Sequence, residues 1–176
     1  MDSKSYKEYL KDITAFIFDV DGVLTDSSVL VTSEGEMLRK MSTRDGFALK
    51  TAVDTGFLIC IISGGKNEGV RKRLKGLGVQ EISLGAHDKV SNLNALFAKH
   101  QINPENVVYM GDDIPDTPPM KLVGLPCCPQ DAVPEVKAVS KYISHKNGGD
   151  GAVRDIIEQV LKVQGHWLKV FDAKYD

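Results

Sequence analysis

Short apolar runs alternate along this chain with longer segments in which apolar residues recur at helical spacing. The apolar runs cover residues 13–18, 57–62, 81–84, 107–110 and 125–128. Runs of this length are typical of buried strands, and their alternation with helical segments is typical of strand–helix–strand units. The pattern therefore predicts an α/β fold with a doubly wound, Rossmann-like parallel sheet.

Three segments show the helical spacing clearly. Their apolar positions are Val70, Leu74 and Leu77; Val90, Leu93 and Phe97; and Ala152, Val153, Ile156, Ile157 and Val160. Gly78 follows the first set, and Gly148, Gly149 and Gly151 precede the last, as is common at helix boundaries. We predict one helix over each set.

One segment, residues 28–42, interrupts the alternation, and we call it the hairpin. It alternates in part between apolar and polar residues and contains a turn signal at residues 33–35. This pattern predicts two antiparallel strands inserted after the first strand of the sheet. The apolar residues Val29, Val31, Met37 and Leu38 would be exposed in a lone subunit, and contact with a second subunit would relieve that exposure.

Length and composition suit one domain covering residues 1–176. The chain has 176 residues, of which 42% are hydrophobic and 26% are charged, ordinary values for a globular protein. The formal net charge is −2, without a basic or acidic tail. This balance argues against a nucleic acid or an anionic membrane surface as the partner.

The N-terminus and the cysteines favour a cytoplasmic location. Residues 1–12 are polar, and no run approaches the roughly 18 apolar residues of a membrane span. Cys60 lies inside an apolar run, whereas Cys127 and Cys128 are adjacent, which fits neither a structural disulfide nor a CxxC motif. We therefore expect a reduced, cytoplasmic protein.

Aspartates follow two of the predicted strands. Asp19 and Asp21 end the first apolar run, and Asp112, Asp113 and Asp116 follow the fourth. The carboxyl ends of parallel strands share one edge of a sheet, where ligands bind. An isolated aspartate there is more often a helix cap or turn former, but two groups at two strand ends favour a bound cation. Oxygen ligands of this kind suit Mg²⁺.

Two further segments bring polar groups to the same edge. The run 57–62 leads into Ser63, Gly64 and Gly65, whose hydroxyl and backbone N–H groups can cradle a phosphate or can equally cap a helix. Lys89 opens the next predicted helix. On its own it would be interpreted as a solvated lysine, but the clustered carboxylates give its charge a use.

These motifs, in this order, resemble the four motifs of the haloacid dehalogenase superfamily. The matching residues are DVDGV at 19–23, ISG at 62–64, Lys89 and GDDIPD at 111–116. The resemblance implies an Mg²⁺-dependent phosphatase in which Asp19 is the nucleophile and Asp21 the acid/base. It also implies that Ser63 and Lys89 hold the transferring phosphoryl oxygens.

The same resemblance places the cofactor. Mg²⁺ would be bound by Asp19, Asp112 and the backbone carbonyl of Asp21. Asp113 and Asp116 would orient these ligands and the lysine. The metal ligands that the resemblance implies follow the same two predicted strands as the aspartates described above.

The spacing of the motifs narrows the resemblance to one branch of the superfamily. The segments 22–62 and 64–88 are each too short for the cap domain that usually covers this kind of site. The chain therefore resembles the capless branch typified by 3-deoxy-D-manno-octulosonate 8-phosphate phosphatase. In that branch, tetramers place one subunit against the active site of the next, which implies a homotetramer.

The branch also implies a substrate-binding set. Its substrate, a small acidic sugar phosphate, carries a carboxylate besides the phosphate, and basic side chains bind both groups. The implied set is Asp21, Ser42, Thr43, Arg44, Asp45, Gly46, Lys50, Gly64, Gly65, Arg73 and Lys89. Without the resemblance, Lys50 and Arg73 would be interpreted as exposed helical charges.

The predicted substrate is 3-deoxy-D-manno-octulosonate 8-phosphate, on the route to lipopolysaccharide, and two alternatives remain. Members of the branch commonly carry an arginine where this chain has Gly65, and Lys66 is a candidate replacement for its charge. Phosphatases of nine-carbon, sialic-acid-type 9-phosphates carry a glutamate there, which is also absent. The second alternative is a non-catalytic, receiver-like metal-binding domain, which would have no need for an acid/base at Asp21.

The C-terminal tail, residues 164–176, carries aromatic residues at intervals of four: Trp167, Phe171 and Tyr175. This spacing favours docking against another surface, and a frayed terminus is the alternative for the last residues. Together with the exposed hairpin, the tail favours a homotetramer whose subunits complete each other's active sites.

Overall fold

The computed structural model describes residues 5–167 of the chain, with a parallel sheet at its centre. The strands are β1 (Ala15–Phe18), β2 (Leu30–Val31), β3 (Met37–Leu38), β4 (Leu58–Ser63), β5 (Glu81–Leu84), β6 (Val107–Met110), β7 (Leu125–Cys128) and β8 (Tyr142–Ile143). Six of them form the sheet in the order β5–β4–β1–β6–β7–β8, and every neighbouring pair is parallel. The predicted doubly wound α/β fold is confirmed.

Helices cover both faces of this sheet. They are α1 (Tyr6–Tyr9), α2 (Thr43–Asp54), α3 (Glu68–Gly76), α4 (Lys89–His100), α5 (Thr117–Met120), α6 (Pro134–Val139) and α7 (Ala152–Val163). The helices predicted from apolar spacing correspond to α3, α4 and α7. Each of α2, α3 and α4 begins at a polar cap whose side chain accepts a backbone N–H, namely Ser42, Asn67 and Asp88.

Strand alternation divides the core into two layers. On β1, Phe16 and Phe18 face the layer that contains α2, α3 and α7, whereas Ala15 and Ile17 face the layer that contains α4 and α6. Because β1 is covered on both faces, its sequence is apolar throughout and shows no alternation of polar residues. The position of β1 in the middle of the sheet places the residues that follow it at the centre of the carboxyl edge.

The hairpin forms a separate two-stranded sheet, as predicted. Leu30 pairs with Leu38 and Val31 with Met37, in antiparallel register. The chain reverses at residues 32–36, where the N–H of Thr32 donates to the carbonyl of residue 36 at 2.9 Å. The apolar side chains of both strands are exposed, in agreement with the sequence.

A buried carboxylate joins α2 to α7. Asp45 is fully buried, and its oxygens accept the backbone N–H groups of Gly151 (3.3 Å) and Arg154 (2.8 Å) at the start of α7. An acidic group suits this position because the N–H groups of a first helical turn have no partner within the helix. The carboxylate of Asp45 thus makes a structural contact between two helices, and its contact with substrate stays a prediction.

Replacing Asp45 with alanine should destabilise the fold. The change leaves two buried N–H groups without their acceptor, which costs about 2 kcal/mol and should lower the melting temperature by about 4–8 °C. Thermal unfolding followed by circular dichroism measures this, with Glu105→Ala, an exposed carboxylate, as the matched control. Equal melting temperatures for both variants would show that the cap contributes nothing.

The structure describes the C-terminal tail as far as Trp167. Trp167 packs edge-on against Phe47, with ring centroids 6.1 Å apart, and the guanidinium of Arg154 lies 5.5 Å from its centroid. The first aromatic of the predicted tail thus docks on its own subunit. Phe171 and Tyr175 lie outside the described residues.

Between residues 5 and 167, none of the helices is both long and apolar enough to cross a membrane.

Candidate active site

The candidate site lies at the carboxyl edge of the sheet, where β1, β4 and β6 end side by side. Phe18 pairs in register with Ile61 of β4 and with Met110 of β6. Asp19 follows directly, and its N–H donates to the carbonyl of Met110 at 3.1 Å. The edge opens into a cleft of about 670 Å³. The predicted site residues that line it are Asp19, Asp21, Ser63, Gly64, Gly65, Lys89, Asp112, Asp113 and Asp116.

A buried lysine joins two of these carboxylates. Lys89, the first residue of α4, is only 9% exposed, and its Nζ donates to Oδ2 of Asp19 at 2.6 Å and to Oδ1 of Asp116 at 2.7 Å. Asp116 is held in turn by the hydroxyl of Tyr109 (3.0 Å) and the backbone N–H of Asp112 (3.2 Å). These bonds fix the ammonium group beside Asp19, where it can offset the charge of a bound phosphate.

Three carboxylates crowd together around that lysine. Asp19, Asp112 and Asp116 each place an oxygen within 4.8 Å of the others. Burial, followed by the charge of Asp116, raises the pKa of Asp19 to about 6, and Lys89 only partly opposes the shift. Burial and the charges of Asp116 and Asp19 raise the pKa of Asp112 to about 7. Oxygen donors that repel one another in this way fit a hard divalent cation such as Mg²⁺.

Gly22, the residue after Asp21, lies against this cluster, while the carboxylate of Asp21 binds Arg39. Gly22 turns the chain with φ +85°, and a Cβ on it would lie 1.8 Å from Oδ2 of Asp112. Only glycine allows so close an approach in that conformation. The carboxylate of Asp21 is instead bonded to Arg39 and remains 37% exposed at the mouth of the cleft.

Ser63 and the glycines after it form another wall of the cleft. Ser63 is buried at the end of β4, and its Oγ accepts the N–H of Gly65 at 3.4 Å. The backbone carbonyls of Ser63 and Gly65 accept the N–H groups of Ala86 (2.9 Å) and Gly85 (3.0 Å). These bonds tie the loop after β4 to the loop after β5, which leads to Lys89.

The remaining residues of the predicted substrate-binding set do not line this cleft. They are Ser42, Thr43, Arg44, Asp45, Gly46, Lys50 and Arg73. Lys50 pairs with Asp54, one helical turn away. Arg73 lies against Gly46, where a Cβ would be 2.7 Å from its Nη2. Arg44 lines a separate groove of about 420 Å³ beside α7. Within one subunit, the structure keeps these residues apart from the carboxylate cluster.

Several side chains around the site were not predicted from the sequence: Thr25, Ser27, Arg39 and Tyr109. The hydroxyl of Thr25 accepts the N–H of Gly22 at 3.2 Å, and Ser27, with φ +64°, donates to Asp112 at 3.4 Å. Tyr109 alone had a readable signal, because a hydroxyl stands out in an otherwise apolar run. The other three belong to loops whose paths the sequence does not specify.

The raised pKa values predict a pH-dependent response to Mg²⁺. Because both folded pKa values exceed the ordinary 3.8, the metal-free protein binds extra protons and loses stability as pH rises through about 6 and 7. Mg²⁺ binds the ionised form, so protons compete with it. At about ten times its Kd, Mg²⁺ should add about 1.4 kcal/mol and raise the melting temperature by about 3–6 °C at pH 8.

The same addition should change the melting temperature far less at pH 5. Scanning fluorimetry at both pH values, with KCl at matched ionic strength as the control, measures the difference. An equal rise at pH 5 and pH 8 would contradict the assignment of the carboxylate cluster as the cation site.

Comparisons with known proteins agree with this geometry. The family of haloacid dehalogenase-like hydrolases matches residues 78–157. A 3-deoxy-D-manno-octulosonate 8-phosphate phosphatase of Salmonella typhi is 37% identical over 93% of this chain and 86% of that protein. The enzyme of the same name from Escherichia coli K12 is 36% identical over the same shares.

Solved structures give the same result. The 3-deoxy-D-manno-octulosonate 8-phosphate phosphatase of Moraxella catarrhalis, in complex with magnesium ion, phosphate ion and the sugar acid, superposes with a TM-score of 0.89. It is 34% identical, and the match covers 92% of this chain and 93% of that one. The Yersinia pestis enzyme of that name has a TM-score of 0.89 at 32% identity, covering 92% of this chain and 87% of that one.

Proposed function

The chain belongs to the haloacid dehalogenase-like hydrolases, and we propose that it removes the phosphate group from 3-deoxy-D-manno-octulosonate 8-phosphate in the synthesis of lipopolysaccharide precursors. The observation that carries the proposal is Lys89, held between Asp19 and Asp116 beside the carboxylate of Asp112. This arrangement combines a nucleophile, a fixed positive charge and a cation site in one cleft. Relatives of that name match more than nine-tenths of the chain. The protein is a phosphatase.

In the first half of the proposed reaction, Asp19 is phosphorylated. One oxygen of its carboxylate attacks the phosphorus while the bond from phosphorus to the sugar oxygen breaks. Asp21 gives a proton to that sugar oxygen, so the leaving oxygen becomes a neutral hydroxyl group of the sugar acid. The position of Asp19 suits this role, because the N–H of Val20 (2.6 Å) and the ammonium of Lys89 fix its two oxygens.

In the second half, water releases the phosphate. Asp21, now ionised, takes a proton from water, whose oxygen attacks the phosphorus and restores the carboxylate of Asp19. Ser63, the backbone of Gly64 and Gly65, and Lys89 bind the phosphoryl oxygens throughout.

Mg²⁺ is the cofactor. Asp19, Asp112 and the backbone carbonyl of Asp21 would hold it, with Asp113 and Asp116 orienting the ligands. When bound, Mg²⁺ supplies positive charge that lets an anionic carboxylate approach an anionic phosphate. The fit rests on the repulsion within the cluster, which a cation relieves.

A substrate panel tests the proposal. With Mg²⁺, phosphate release should show its highest kcat/KM on the eight-carbon sugar acid 8-phosphate. A nine-carbon keto-acid 9-phosphate and a neutral hexose 6-phosphate, which lacks the carboxylate, should be poorer substrates. A higher kcat/KM on the nine-carbon acid would show that the proposed substrate is wrong and would leave the proposed mechanism intact. No phosphate release from any of the three substrates would refute the proposed function.

We also propose that the whole chain acts as one catalytic domain and assembles as a homotetramer. The segment 42–50 and Arg73 lie outside the cleft of their own subunit, so they would serve the substrate only in a neighbour's site. The hairpin exposes Leu30 (68%), Val31 (61%) and Met37 (50%), and a second subunit would cover this surface. The free, buried thiols agree with the reducing cytoplasm as the proposed location.

Light scattering should give the mass of four chains. Changing the exposed pair Leu30 and Val31 to serine should reduce the assembly and raise KM, while Lys11→Ser, also exposed, should do neither. A wild-type monomer with full activity would refute the assembly and leave the chemistry at Asp19 unaffected.

A further inference from the structure

Arg39, just after β3 of the hairpin, lies beside the cleft and contacts Asp21, one of the residues that line it. Its Nε donates to Oδ1 of Asp21 at 3.0 Å and its Nη2 to Oδ2 at 3.1 Å, so one guanidinium edge binds both oxygens of one carboxylate. The side chain of Arg39 is only 7% exposed, whereas that of its neighbour Lys40 is 84% exposed. Its neighbours Leu38 and Lys40 are exposed, whereas this arginine is turned towards Asp21.

Two further contacts hold the guanidinium in place. Its Nη1 donates to the carbonyl of Met37 at 2.7 Å, and the same carbonyl accepts the side-chain amide of Asn67 at 3.0 Å. Because Asn67 is also the N-terminal cap of α3, the second strand of the hairpin is tied to the body of the domain. Arg39 therefore contacts Asp21 from a segment that is anchored at Met37.

The absence of a side chain at residue 65 leaves room for this pair. A Cβ on Gly65 would lie 3.1 Å from Oδ2 of Asp21 and 3.4 Å from Nη2 of Arg39, closer than ordinary contact. Lys66, the sequence-based candidate for a positive charge here, instead lies along Gly85, where a Cβ would be 2.5 Å from its Cε. The positive charge beside Gly65 comes from the hairpin.

We propose that Arg39 is a positioning residue for proton transfer, holding the carboxylate of Asp21 in the orientation that serves the leaving oxygen. The inference rests on the proposed function. A carboxylate that is 37% exposed and follows no regular element can rotate, whereas a bidentate guanidinium fixes both its plane and its position. Each carboxylate oxygen has a second lone pair, so the pair leaves room for the proton in transit.

This role predicts a dependence on the leaving group. A sugar alcohol is a poor leaving group and needs the proton from Asp21, whereas 4-nitrophenolate leaves as a stable anion. Arg39→Met, which removes the guanidinium and keeps the stem, should lower kcat on the sugar phosphate by about tenfold, a part of the roughly 10²–10⁴-fold that a general acid contributes. On 4-nitrophenyl phosphate, phosphorylation of Asp19 should keep its rate within about twofold.

The experiment compares wild type, Arg39→Met, Arg39→Lys and the control Lys40→Met on both phosphates with Mg²⁺. Pre-steady-state release of nitrophenolate measures phosphorylation, and steady-state phosphate release measures kcat and KM. Arg39→Lys keeps the charge but loses the two-point contact, so its kcat should lie between that of wild type and that of Arg39→Met. Lys40→Met should match wild type, and melting temperatures report any loss of folding.

A double-mutant cycle with Asp21→Asn completes the test. If Arg39 acts through Asp21, adding Arg39→Met to Asp21→Asn should cost nothing further on the sugar phosphate. Equal losses on both phosphates, additive losses in the cycle, or a rise in KM alone would overturn the inference. Failure of the proposed function would appear separately, as a wild type that releases no phosphate from the sugar acid. The cycle would then be run on any alkyl phosphate that the wild type hydrolyses.

Discussion

Asp19→Asn should abolish turnover and leave the fold intact. The amide keeps the shape of the side chain but cannot attack phosphorus, so we expect a loss of about 10⁴-fold or more in kcat. Stability should not fall, because the change removes a carboxylate whose pKa is raised by burial and by the charge of Asp116, and Lys89 keeps Asp116 as an ion-pair partner. In the metal-free protein at pH 8, the melting temperature should stay level or rise. Phosphate release and scanning fluorimetry on the same samples measure both effects.

The matched control is Asp12→Asn, an exposed aspartate in the turn before β1. It should leave rate and melting temperature unchanged. An Asp19→Asn variant with near wild-type rate would remove the phosphorylated aspartate from the mechanism. A large fall in its melting temperature would instead show that Asp19 is needed for folding.

Lys89→Met should damage activity and stability together. The methionine leaves Asp19 and Asp116 without the cation that both contact, and removing one partner of a buried ion pair costs about 3 kcal/mol. The metal-free melting temperature should fall by about 6–12 °C. Loss of the positive charge next to the phosphoryl group should also lower kcat by about 10²–10³-fold, as for other fixed charge-stabilising groups.

The control for that variant is Lys99→Met on the exposed side of the same helix. Lys99 is 62% exposed and pairs with Glu81, so its loss should change stability by less than about 1 kcal/mol and leave kcat unchanged. If Lys89→Met retained full activity, the lysine would not contact the phosphate. If the melting temperature of Lys89→Met equalled that of wild type, Lys89 would not stabilise the two buried carboxylates.

Much of the fold follows from where the apolar runs lie. The five predicted runs correspond to β1, β4, β5, β6 and β7. The strands β1, β4, β6 and β7 are covered on both faces and are therefore mostly apolar. The edge strand β5 is only partly buried and alternates polar with apolar residues. The edge strand β8 was missed. Its two residues, Tyr142 and Ile143, follow a lysine and face solvent in part, so no apolar run marks them.

The carboxylate cluster was predictable for a similar reason. Parallel strands end at one edge, so the aspartates after β1 and β6 and the serine that ends β4 had to meet there once those strands were neighbours. Asp116 contributes more than the sequence suggested, since it contacts Lys89, Tyr109 and the backbone of Asp112 at once. That convergence depends on the tight turn after Gly111, which spacing alone does not reveal.

The positions of the basic side chains could not be predicted. Whether Arg39 turns towards Asp21 or out to solvent depends on how the hairpin folds back. Its partner Asp21 is 18 residues away in the sequence, so local spacing does not reveal the contact. Arg73 and Lys50 lie on helices. A long charged side chain can occupy the solvent-facing side of a helix or pack along its buried side, so the sequence does not show which of the two applies. Only the family resemblance indicated a role in substrate binding for these two residues, and neither of them lines the cleft of its own subunit.

The most direct test of the central claim is a pre-steady-state burst measurement on Asp21→Asn with Mg²⁺ and an excess of 4-nitrophenyl phosphate. This substrate needs no acid to leave, but the second half of the reaction needs the base that the variant lacks. We predict a burst of one nitrophenolate per active site, followed by a stall, with the phosphate located by mass spectrometry on the peptide that contains Asp19. Release without a burst, or a phosphate on any other residue, would contradict the account.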